Sequence, residues 1–83
     1  MTTEEGIMEK LSYRILLRPE PEGGYTVIVP TLPGCITYGK TIKEARKMAT
    51  DAIKVYLESL EKHGEPIMDD AEILEGTLSI RYA

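Results

Sequence analysis

Residues 23–60, GGYTVIVPTLPGCITYGKTIKEARKMATDAIKVYLESL, set the strongest constraint on what this chain can fold into. They hold two short β-prone runs separated by a Pro-Gly break, followed by a long amphipathic helix with its own start signal. Thr41 and Glu44 stand in the S/T-x-x-E spacing of a capping box. In that motif the Thr hydroxyl accepts from the Glu44 amide while the Glu44 carboxylate reaches back to the Thr41 amide. At about 100° per residue, Ala45, Met48, Ala49, Ala52, Ile53, Tyr56 and Leu60 share one face, and Lys43, Lys47, Thr50, Lys54 and Glu61 lie opposite. Gly64 followed by Pro66 is a stop. The small residues of the first half predict close packing on a sheet. A helix of about 21 residues spans about 31 Å against about 20 Å for a six-residue strand, so its far end should overhang.

The rest of the chain supplies strands. Residues 11–18 alternate, with Leu11, Tyr13, Ile15 and Leu17 on one side and Ser12, Arg14 and Arg18 on the other; Leu16 puts an apolar side chain on the polar face. Residues 19–24, Pro-Glu-Pro-Glu-Gly-Gly, are turn chemistry. Residues 25–29 return antiparallel, Tyr25, Val27 and Val29 facing one way, Thr26 and Ile28 the other, until Pro30, which cannot donate to a ladder. Residues 31–34 reverse the chain and residues 35–38 make a third strand. Residues 65–76 read as loop, and residues 77–82 alternate again as a last strand. The expected fold is α+β: one domain over residues 1–83, frayed across 1–10, ordered β-β-β-α-β, with a mainly antiparallel sheet and one long helix on one face.

Composition narrows the chemistry. The chain has 83 residues and a net charge of −4, which argues against nucleic-acid binding, since phosphate contacts need clustered cations. Residues 1–64 carry nine acids and nine Lys or Arg, so the deficit sits in the tail, where Glu65, Asp69, Asp70, Glu72 and Glu75 face Arg81 alone. One cysteine forbids an internal disulfide and fits a reducing cytoplasm. No apolar run is long enough to span a membrane. Cys35 has no neighbouring base, because His63 lies at the other end of the helix, and a structural thiol in a strand is expected. The tail acids lack the spacing of a calcium loop. Gly23-Gly24 precedes a strand and not a helix, so it cradles no phosphate. No catalytic set, metal site or cofactor is expected.

The ordered series Gly24-Tyr25-x-Val27, Pro30-x-Leu32-Pro33-Gly34-Cys35, Gly39-x-Thr41, Glu44-Ala45 and Gly64-x-Pro66-Ile67 resembles the HicB family, the antitoxin half of HicA–HicB toxin–antitoxin pairs. The resemblance runs over about residues 13–67. It implies a partly degraded ribonuclease H-like fold of β-β-β-α-β type. It also implies an oligomer that masks a small basic RNA-cleaving toxin, a His-using module similar to double-stranded-RNA-binding domains. The ribonuclease H reaction needs several carboxylates around metal ions, and residues 11–18 contain none, so nuclease activity is not expected to carry over. Many members continue into a DNA-binding domain; none follows Ala83 in this sequence, and direct DNA binding is not expected.

These readings place a HicA-like toxin against the tail acids Asp69, Asp70, Glu72 and Glu75. A homodimer or higher homo-oligomer is expected to form through Leu16 and Ile28 on the uncovered sheet face, or Val55 and Leu57 beside the overhang. The competing reading is a stand-alone oligomeric module that binds another ligand without a toxin.

Overall fold

The computed structural model describes residues 10–83, so the fraying expected over residues 1–10 falls outside them except at Lys10. Strands β1 (Leu16–Pro19), β2 (Tyr25–Ile28) and β3 (Ile36–Gly39) form one antiparallel sheet in the order β1-β2-β3, and helix α1 (Ile42–Lys62) crosses one face. The α+β class and the first four elements agree with expectation.

Thr41 caps α1, its Oγ1 accepting from Glu44 N at 3.0 Å. The return bond falls one residue earlier than the capping box predicts: Glu44 Oε1 accepts from Lys40 N at 2.7 Å. At the far end Gly64 adopts φ +68, with Gly64 N donating to Glu61 O at 3.1 Å and Glu65 N to Leu60 O at 2.8 Å. That pair of bonds is a Schellman stop, which a glycine at positive φ permits. Ala45 and Ala49 are fully buried against Val27, so the small residues do seat the helix on the sheet. Met48, on the same predicted face, is 40% exposed. The helix packs chiefly on β3 and less on β2, which tips that side of it toward solvent.

The overhang is covered by the chain's own loop. Tyr56 Oη donates to Pro33 O at 2.8 Å, and Leu32 is buried with Val29 and Cys35 beneath Ile53, Tyr56 and Leu57. The Pro-Gly reversal is therefore also the lid of the second half of the core.

Two expectations about strands are corrected. The first strand is paired only from Leu16, not from residue 11, because Pro30 has no N–H to continue the β2 ladder. The tail fills that gap. Asp70 N donates to Ser12 O at 2.7 Å, and Asp70 Oδ2 accepts from Arg14 N at 2.8 Å. Its Oδ1 accepts from Thr31 Oγ1, and Asp69 Oδ2 accepts from Ser12 N at 3.0 Å. One carboxylate thus ties the start of the first strand to the loop after the second. The last strand, residues 77–82, does not form: after a turn closed by Ile73 N to Asp70 O, the tail has no regular structure and no backbone hydrogen bond to the described residues. Alternation makes a strand possible, but a strand exists only with a neighbour.

The hydrogen bonds from Arg14 N and Thr31, with the Arg14 guanidinium beside them, hold the Asp70 carboxyl below its ordinary 3.8. A carboxylate with a depressed folded pKa stabilises the fold above its unfolded value, and that contribution is lost as pH falls through the folded pKa. Asp70→Asn should therefore lower the melting temperature by several degrees at neutral pH. The gap to wild type should close as pH falls below 3.8; parallel melting curves across that range would remove this role. A second prediction concerns the helix seat. A Cβ at Gly39 would fall on the backbone of Ala45, so Gly39→Val should destabilise by about 1–3 kcal/mol in denaturant titrations.

Candidate functional site

Among the described residues, the reactive side chains do not converge. Cys35 is 5% exposed, and burial raises its thiol pKa, the opposite of what a nucleophile requires. His63 caps the far end of α1, its Nδ1 2.8 Å from Ser59 O. Tyr13 Oη donates to Met68 O at 2.5 Å; burial first, then Asp69 and Asp70, raises its pKa, so it serves as a neutral donor. Among the described residues, no three His, Cys, Asp or Glu side chains come together to hold a metal ion. Three regions of the surface stand out by their exposed apolar side chains or grooves.

The first is the sheet face away from α1. The register sets Leu16, Ile28 and Ile36 in one row across the three strands, with Arg18, Thr26 and Tyr38 in the next. Leu16 is 47% exposed, Ile36 60% and Tyr38 45%, so an apolar row lies open to water. Beside it Glu20 accepts from Thr26 Oγ1 and from Arg18 Nε, at 3.3 Å for the latter. Those bonds, that of Thr26 first, lower the Glu20 pKa and keep its charge fixed on this face.

The second region is a pair of grooves flanking the helix. One, about 410 Å³, lies between the approach to β1 (Leu11, Tyr13, Ile15) and Ala49, Ile53 and Leu57 of α1, with Arg46 and Lys54 at its rim. The other, about 550 Å³, lies between β3 and Met48, Ala52 and Val55. The first follows from the seat of the helix: small residues bring it close over the β2–β3 side, and the sheet extends past it toward β1.

The third is the tail, where the four acids expected to meet a partner divide. Asp70 is buried and its carboxylate is spent on Arg14 and Thr31, so it is not free to meet another molecule. Asp69 is half-buried and engaged with Ser12. Glu72 and Glu75 are exposed, as is Glu65. Between them stand Ile67, Met68, Ile73 and Leu74, which are 41, 66, 51 and 95% exposed. The stretch over residues 65–75 thus interleaves free acids with free apolar side chains and contains no cation.

The residues expected in self-association do not form one surface. Leu16 and Ile28 share the outer sheet face, Val55 opens into the groove beside β3, and Leu57 lies half-buried in the groove beside β1. Sequence reasoning missed Ile36 and Tyr38 on the outer face. Alternation of Cys35 and Thr37 against Ile36 and Tyr38, carried across the two hairpins, was the signal that places them there.

Comparison with known proteins identifies relatives over most of the chain. The family model described as HicB_like antitoxin of bacterial toxin-antitoxin system matches residues 13–82. A UPF0150 protein of Thermoplasma acidophilum is 48% identical over 63 residues, covering 75% of this chain and 91% of that protein. A UPF0150 protein of Synechocystis is 41% identical over 56 residues, covering 68% of this chain and 71% of that one. The protein named antitoxin HicB 1 of Photorhabdus laumondii is 40% identical over 60 residues, which are 68% of this chain but only 39% of that longer protein. Matched over nearly all of its described length, this chain belongs to the HicB-like antitoxin family.

Proposed function

We propose that this protein is a non-catalytic antitoxin that binds and masks a small, basic, RNA-cleaving HicA-like toxin in the cytoplasm. One observation carries the reading beyond family membership: the stretch over residues 65–75, pinned to the body at Asp70 and exposing Glu65, Glu72 and Glu75 among Ile67, Met68, Ile73 and Leu74. Acids without a neighbouring cation attract a basic surface and steer its approach, and the apolar side chains between them supply the area that water must leave. The anchored carboxylate of Asp70 fixes where the stretch departs from the sheet. The toxin therefore meets a surface that is ordered at one end.

The reading assigns direct contact to Glu72 and Glu75 and an indirect, positioning part to Asp69 and Asp70. It includes no nuclease step and no direct contact with DNA. The double variant Glu72→Lys, Glu75→Lys should bind a HicA-like toxin about 10-fold or more weakly, mostly through a slower association rate at low salt. Its melting temperature should match wild type, since neither side chain is buried. Titration calorimetry and stopped-flow mixing measure both quantities. Unchanged affinity would move the contact elsewhere on the chain, and the absence of any complex at micromolar concentration would end the antitoxin reading.

A further inference from the structure

We infer that residues 77–82 are an exchanged strand: in solution each copy of this chain lays them along the free edge of β1 in a second copy, filling the groove between that edge and α1. The tail has the pattern of a half-buried strand. Leu78, Ile80 and Tyr82 alternate with Thr77, Ser79 and Arg81, yet these three apolar side chains are 88, 78 and 96% exposed. Nothing in the described residues covers them.

The receiving edge has matching parity. Glu20 N donates to Gly24 O and closes the first hairpin, so Arg18 and Leu16 exchange bonds with Thr26 and Ile28. Ser12 and Arg14 turn their backbone groups the same way, toward Asp69 and Asp70. Alternation then points the N–H and C=O groups of Tyr13, Ile15 and Leu17 away from β2, along an open edge. These same three residues direct their side chains to the helix side and pack on the core. Three inward positions on the edge thus face three apolar residues on the tail, with Ile53 and Leu57 forming the far wall of the groove. The edge of β3 is a poorer acceptor, because its inward residues are Cys35, Thr37 and Gly39.

The occupant comes from a second copy because the chain's own tail, past the turn at Asp70, makes no backbone hydrogen bond to its own edge and leaves Leu78, Ile80 and Tyr82 exposed. The six residues 71–76 extend at most about 20 Å, enough to reach a neighbouring body. Reciprocal exchange also gives an interface of adequate size. Each strand would bury on the order of 400–500 Å² of its own surface and a similar area of the groove, a total of about 1,600–2,000 Å², typical of a stable dimer.

The proposal is tested on the full chain alone, so its failure is separate from failure to find a toxin. Light scattering should give twice the 9.3 kDa chain mass. Ile80→Asp with Tyr82→Asp should weaken dimerisation on the order of 100-fold or more, leaving a monomer with unchanged helical circular dichroism. Hydrogen exchange should show protected amides at Tyr13, Ile15 and Leu17 in the dimer and their release in the variant. A wild-type monomer at tens of micromolar, or a dimer that survives the double substitution, would overturn the inference. So would protection at Ile36 and Tyr38 in place of the β1 edge.

Discussion

The close approach of α1 to the sheet governs the rest of this structure. Gly39 lacks the side chain that would strike the backbone of Ala45, and Ala45 and Ala49 are small enough to lie directly on Val27. That contact fixes the helix over β3 and β2 and leaves the β1 side of the sheet only partly covered. The groove beside β1, the exposed Met48 and the half-buried Leu57 are consequences of that placement. A helix with larger residues at these positions would ride higher and shift toward the middle of the sheet, and the groove beside β1 would narrow.

A second constraint acts at Pro30. Proline ends the β1–β2 ladder, and Asp70, from a distant part of the chain, takes up the strand groups left beyond it, its carboxylate accepting from Arg14 N and its own N–H donating to Ser12 O. This contact changes the meaning of the acidic tail. In the sequence its five acids look alike, a solvated run without internal distinction. In the fold the two central ones hold the tail to the sheet, while Glu65, Glu72 and Glu75 stand exposed beside large apolar side chains. Asp69 and Asp70 carry the anchoring, and the anchor sets where the neighbouring exposed acids stand.

Several open apolar surfaces are the most prominent features outside the core. Cys35, the residue most open to a chemical reading, is instead a small apolar element beneath Tyr56 and Leu57, its thiol kept protonated by burial. The glycines and prolines that punctuate the family pattern serve the scaffold: Gly39 for the helix seat, Pro30 for the strand end, Pro33 as the acceptor for Tyr56, Gly64 for the helix stop. The open apolar surfaces are made from the less distinctive residues around them.

The sequence by itself determined the local elements: the hairpins from alternation and turn residues, the helix from its periodicity, cap and stop, and the small-residue seat from the spacing of Ala45 and Ala49. These were legible because each depends on residues within a few positions of one another. It also placed Leu16 and Ile28 on the outer face, since period-two alternation carries over any strand. Only the tertiary structure decided which acids are free, which open apolar residues share a surface, and whether residues 77–82 pair. Asp70 meets Ser12, Arg14 and Thr31 across 39 to 58 positions of chain, and Ile36 joins Leu16 only through the register of two hairpins. A side chain's local pattern states which face it prefers. What lies against that face is set by partners distant in sequence.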